Sequence, residues 1–131
     1  MAETKKFKVL LVDDDQFLLK MYTIKFQKSG FDVEAAAGGL DALSKIRNGF
    51  AADILLLDLV MPGMDGLELL ERIKKENLMP KALFVILTNQ GQSTDIEKAK
   101  KMGIDGYIVK ALSIPSEVVE EVKDIIKKKG K

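Results

Sequence analysis

Four short apolar runs punctuate the chain: Phe7–Val12, Ile54–Leu57, Leu83–Leu87 and Tyr107–Val109. A fifth stretch, Phe31–Ala35, alternates apolar and polar positions. The longer runs are close to continuous, as expected of strands covered on both faces. Between them the spacing changes to that of helices. Residues 16–28 carry Phe17, Met21 and Ile24 at i, i+4 and i+7, and Gly30 follows as a stop signal. Leu40, Leu43 and Ile46 mark a second helix, ended by Asn48-Gly49. Gly66, Leu69, Leu70 and Ile73 mark a third, and Ile96 with Ala99 mark a fourth that ends before Gly103. Val118, Val119, Val122, Ile125 and Ile126 mark a fifth, with Pro115 in its first turn.

Strand and helix therefore alternate five times, which predicts an α/β domain with a parallel sheet wrapped by helices on both faces. Five such units suit the flavodoxin-like strand order 2-1-3-4-5. The 131 residues fit one domain, with a core from about residue 6 to residue 127 and no output domain expected after it.

Polar residues stand just past four of the apolar runs. Asp13, Asp14 and Asp15 follow the first, Asp58 the third strand in chain order, Thr88 the fourth and Lys110 the fifth. In an open α/β sheet these points share the carboxyl edge, where ligands bind. Asp15 reads as a helix N-cap. Strands one and three are neighbours in the proposed order, so Asp13, Asp14 and Asp58 converge. Two carboxylates about 4 Å apart repel by about 4 kcal/mol at an effective dielectric near 20. Such a cluster requires a cation, a proton or the Lys110 ammonium. The segment Met61-Pro62-Gly63-Met64-Asp65-Gly66 reads as a tight loop that stiffens the backbone after Asp58.

Composition narrows the chemistry. The chain has no cysteine and no histidine, which removes disulfides, thiolates, imidazole metal ligands and a Ser-His-Asp triad. Oxygen ligands remain, and they suit Mg²⁺, which bridges carboxylate to phosphate and keeps several waters. A net charge of +1 creates no global field toward nucleic acid or anionic membrane. Lys98, Lys100, Lys101 and the tail Lys127–Lys129 with Lys131 read as solvated cations near helix C-termini. No aromatic interleaves with them to make a base-stacking platform, so no direct nucleic-acid binding is expected. The N-terminal apolar run is too short for a secretory signal, and no run approaches the ~20 residues of a membrane span. The expected location is the cytoplasm, without membrane insertion.

Taken together, Leu11-Val12-Asp13-Asp14, Asp58 with its Pro-Gly loop, Thr88 and Tyr107-Ile108-Val109-Lys110 resemble the receiver domain of two-component response regulators, in particular its stand-alone, chemotaxis-regulator-like form. The spacing agrees, with 30 residues from Asp58 to Thr88 and 52 from Asp58 to Lys110. The resemblance implies a phosphorelay switch rather than an enzyme with external substrates, one that catalyses only its own phosphorylation and dephosphorylation. It implies that Asp58 accepts a phosphoryl group from a histidine kinase or phosphotransfer protein. Asp14, Asp58 and the Val60 carbonyl are then the direct Mg²⁺ ligands, and Asp13 acts through a metal-bound water. Lys110 pairs with a phosphate oxygen, Thr88 turns its hydroxyl onto another, and Tyr107 rotates inward. That rotation alters a partner-binding surface formed by the fourth helix, fifth strand and fifth helix. Monomer and homodimer are both compatible with such a surface.

Three positions depart from the family pattern. Ala111 stands where a Pro is usual, and Asn89 where a small residue is common. Val60 and Gln90 occupy positions that tune the lifetime of the acyl phosphate, with Asn89 beside them. Val60 cannot orient an attacking water, so slow autodephosphorylation is expected. The alternative is a phosphohydrolase of haloacid dehalogenase type, which wants an acidic residue two positions after the nucleophile. Val60 stands there instead. A flavin- or nucleotide-binding module would need a phosphate-cradling glycine loop after the first strand, where this chain has three aspartates.

Overall fold

The computed structural model describes residues 7–88, 93–110 and 114–130. The elements run β1 (Lys8–Val12), α1 (Gln16–Lys28), β2 (Asp32–Ala36), α2 (Gly39–Arg47), β3 (Ile54–Leu57), α3 (Gly66–Lys75), β4 (Leu83–Thr88), α4 (Ser93–Met102), β5 (Gly106–Val109) and α5 (Pro115–Lys128). All neighbouring strands are parallel, in the order β2-β1-β3-β4-β5. The predicted flavodoxin-like α/β architecture is the observed one.

The two-sided burial inferred from the continuous runs follows from how the helices divide. Leu10, Val12, Leu55, Leu57, Phe84 and Ile86 pack on one face of the sheet, against Leu43 and Ile46 of α2, Leu69, Leu70 and Ile73 of α3, and Ile96 of α4. The intervening residues Val9, Leu11, Leu56, Val85, Leu87 and Ile108 pack on the other, against α1 and α5. Each fully buried aliphatic side chain stabilises the fold by about 1.5–3 kcal/mol. Every residue of β3 and β4 is buried.

Helix α1 corrects one expectation. The stripe Phe17, Met21, Ile24 does not face the core: Phe17 is 72% exposed and Ile24 44% exposed. The buried face is Leu19, Tyr22 and Phe26, at i, i+3 and i+7. Both stripes satisfy helical spacing. The one carrying two aromatic rings rather than one closes on the sheet, where Phe26 meets Phe31 edge-on at 5.1 Å between centroids. Leu40 of α2 also faces outward, 66% exposed, whereas Leu43 and Ile46 are buried as expected. Asp15 caps α1 as predicted, its side chain accepting the backbone N–H groups of Phe17 and Leu18 at 3.1 Å. Among the described residues no helix is long and apolar enough to cross a membrane.

Candidate functional site: a buried acidic pair bridged by lysine

Strand register assembles the site. Val12 of β1 lies opposite Leu57 of β3, so the next residues, Asp13 and Asp58, emerge side by side. The ladder continues through them: the Asp58 N–H donates to the Val12 carbonyl at 3.0 Å and the Asp13 N–H to the Ala36 carbonyl at 3.2 Å. The backbone of each residue is thus tied to the neighbouring strand, and both residues are buried, 3% and 5% exposed. Thr88 ends β4 and Lys110 follows β5, and both are buried as well. These four are the buried polar residues among those described, and all stand on one edge of the sheet.

Lys110 closes the arrangement. It leaves β5, and its stem passes the end of β4 to reach the carboxylates on the two strands beyond. Its Nζ donates to Asp13 Oδ2 at 2.6 Å and to Asp58 Oδ2 at 3.0 Å. Asp13 Oδ1 accepts the Asp15 N–H at 2.9 Å, and Asp58 Oδ1 accepts the Val60 N–H at 3.2 Å. Burial tends to lower the Lys110 pKa, but the hydrogen bond to Asp13 and the charge of Asp58 outweigh it and leave the ammonium above its usual value. Asp58 moves in the costly direction. Burial raises its pKa, and the attraction of Lys110 and the Val60 N–H offsets that only in part. An Asp58 carboxylate at neutral pH is therefore held at an electrostatic cost.

Asp14 sits beside the pair and is exposed. One carboxylate oxygen each from Asp13, Asp14 and Asp58 lies within 4.8 Å of the other two. The donor set is oxygen alone, in a chain without His or Cys. That chemistry fits a hard, oxygen-ligated cation and disfavours a soft one. Two further positive charges near Asp58 would also relieve the repulsion that Lys110 leaves.

The loop after Asp58 is fixed by close packing. Met61 and Met64 are buried, and Gly63 takes φ +74°, a conformation that favours glycine. A Cβ on Gly66 would lie 2.3 Å from the Asp58 carbonyl oxygen, so the start of α3 presses directly on the backbone of Asp58. Asp65 caps α3 by accepting the Glu68 N–H at 2.9 Å. The stiff loop predicted from sequence is thus a clamp on the Asp58 backbone. Val60 projects into solvent, 71% exposed.

Tyr107 lies on β5 opposite Ile86, with its ring 43% exposed on the face away from Ile108. Asn89, Gln90 and Ala111 fall outside the described residues. The sequence reading missed Tyr22. This buried phenol of α1 has its pKa raised by burial, and the charges of Lys110, Asp13 and Asp58 act on it. The i, i+3, i+7 spacing of Leu19, Tyr22 and Phe26 carried the signal, but the competing stripe on α1 obscured it.

Comparison with known proteins agrees with this geometry. Residues 9–123 match the response regulator receiver domain family. The chain is 32% identical over 130 residues, 98% of its length, to the transcriptional regulatory protein ResD of Bacillus subtilis, and covers 51% of that protein. It is 33% identical over 121 residues, 92% of its length, to the DNA-binding response regulator MtrA of Mycobacterium tuberculosis, again covering 51% of the relative. The chain thus spans about half the length of these curated relatives. Among solved structures, a CheY-like receiver domain protein from Methanospirillum hungatei superposes with a TM-score of 0.85 at 30% identity, over 95% of this chain and 96% of that one. The chemotaxis protein CheY4 of Vibrio cholerae superposes with a TM-score of 0.84 at 26% identity, over 92% and 99%.

Proposed function

Since the chain belongs to the response regulator receiver domain family and so acts in phosphorelay signalling, we propose that Asp58 is the phosphoryl acceptor and that its phosphorylation resets the surface around Tyr107. The observation that carries this reading is the placement of Asp58: a buried carboxylate, raised in pKa, bridged by one lysine to a second carboxylate. A purely structural aspartate gains nothing from that cost.

In the proposed reaction one Asp58 Oδ attacks phosphorus, the new O–P bond forms, and the P–N bond of a phosphohistidine on the donor breaks. The leaving imidazole takes a proton from solvent. The donor is external because this chain has no histidine. Asp14 and Asp58 with the Val60 carbonyl would hold Mg²⁺ directly. Asp13, with one oxygen taken by Lys110 and the other by the Asp15 N–H, would act through a water. Bound there, the ion supplies positive charge that offsets the carboxylates and the phosphoryl oxygens. Lys110 already reaches Asp58 Oδ2, so a short movement of its Nζ brings it to a phosphoryl oxygen. The buried Thr88 hydroxyl stands at the end of the neighbouring strand and turns to a second oxygen. The Tyr107 ring, on the strand beyond, then turns inward and changes the surface of α4, β5 and α5 that a downstream protein reads. This is a two-state element biased by a local change in charge. Hydrolysis of the acyl phosphate returns it to its starting state.

The haloacid dehalogenase reading loses ground at Val60, whose apolar side chain cannot serve as the acid or base that chemistry needs. Calorimetric titration with beryllofluoride in magnesium buffer tests the proposal. One site should be filled in the wild type and none in Asp58→Asn; equal binding by both would overturn it.

A further inference from the structure

Lys100 lies in the last turn of α4, and its Nζ stands 5.3 Å from the centroid of the Tyr107 ring. That is within the ~6 Å over which a cation is attracted to an aromatic face. Strand alternation creates the meeting. Ile108 belongs to the core under α1 and α5, so Tyr107 projects from the opposite face of β5, the side on which α4 packs. Lys100 also pairs with Glu97 at 3.5 Å, one turn earlier on the same helix, which limits the positions open to its flexible stem. Neither group is buried: the Lys100 side chain is 48% exposed and Tyr107 43% exposed.

We propose that Lys100 is a positioning residue that holds the Tyr107 ring outward, so that it biases the switch toward the unphosphorylated state. The inference rests on the reading of Tyr107 as the ring that turns. A ring turned toward the site leaves the place over which Lys100 sits, so the contact belongs to one state alone. A contact made in only one of two states shifts their equilibrium by its full worth. It lowers by the same factor the apparent affinity for any ligand that favours the other state. An exposed cation–π contact corresponds to about a two- to fivefold bias. The alternative role for Lys100, complementing the C-terminal end of the α4 dipole, is shared with Lys101 next to it. Lys101 therefore serves as the control for that effect.

The test labels the protein with 3-fluorotyrosine. The chain has two tyrosines, so Tyr22→Phe leaves Tyr107 as sole reporter in the fluorine spectrum. Beryllofluoride is titrated in magnesium buffer against the parent and three variants of it. Lys100→Gln should move the free-state resonance toward its beryllofluoride-bound position and lower the midpoint two- to fivefold. Lys100→Arg, which keeps a cation over the ring, should restore the parent values, and Lys101→Gln should leave both unchanged. An unchanged midpoint in Lys100→Gln overturns the proposal while the switch reading stands. An equal change in Lys101→Gln also overturns it, because the effect would then come from charge at the helix end. A Tyr107 resonance that stays fixed while beryllofluoride binds the parent removes the switch reading and the proposal together.

Discussion

The middle of the sheet and its carboxyl edge are built from the same strands by opposite rules. Within β3 and β4 every residue is buried, and all but the last are apolar, packed against helices on both sides. At the carboxyl edge, Thr88 as the last residue of β4 and Asp13, Asp58 and Lys110 directly after β1, β3 and β5 are buried too. The interior gains stability from each side chain it covers. At the edge, the Asp58 carboxylate is desolvated beyond what Lys110 restores. On the proposed reading the contrast separates residues that serve stability from residues that serve chemistry, since proteins concentrate such costs at functional sites.

Substitutions on the two sides of that boundary should respond in opposite senses. The largest effect is expected in the interior: Leu55→Ala empties a fully buried position and should cost about 2–5 kcal/mol in denaturant unfolding. Beryllofluoride binding by its folded fraction should persist. At the boundary, Gly66→Ala forces a methyl group against the Asp58 carbonyl and should cost about 1–3 kcal/mol. It should also weaken beryllofluoride binding, because the strain falls on the backbone of the proposed acceptor, Asp58.

At the edge the sign reverses. Asp58→Asn should stabilise the magnesium-free protein by about 1 kcal/mol at neutral pH. The folded pKa of Asp58 is raised, so the fold binds more protons than the unfolded chain between the ordinary carboxylate value and the raised one. Stability is therefore lost as pH rises through that window. The advantage of Asp58→Asn should fade as pH falls below the ordinary carboxylate range, and unfolding curves at several pH values check it. The smallest effect is on lifetime. Val60→Asn offers one hydrogen bond to an attacking water, about 1 kcal/mol, and should speed dephosphorylation about fivefold. A rate that is unchanged or lower would remove Val60 from that role.

Much of this boundary was legible in the sequence because the strands are continuous apolar runs that end abruptly in charge. The register that sets Asp13 beside Asp58 follows from adjacent parallel strands of similar length, and the strand order follows from the alternation of elements. The buried face of α1 was not legible, because two stripes of similar hydrophobicity run along it and only contact with the sheet chooses between them. The direct grip of Lys110 on Asp13 was also out of reach. Spacing placed both residues on one edge, but the reach of a lysine stem across the end of β4 is a tertiary fact. Likewise the pairing of Lys100 with Tyr107 depends on where α4 packs against β5, and the weak apolar stripe of Ile96 and Ala99 left that open.

The central claim is that Asp58 itself carries the phosphoryl group. The protein is incubated with acetyl phosphate and Mg²⁺, the acyl phosphate is reduced with borohydride, and the chain is digested and sequenced by mass spectrometry. The account predicts homoserine at position 58 in the wild type and no reduced residue in Asp58→Asn. Reduction at Asp13 or Asp14 in the wild type, with position 58 untouched, would contradict it.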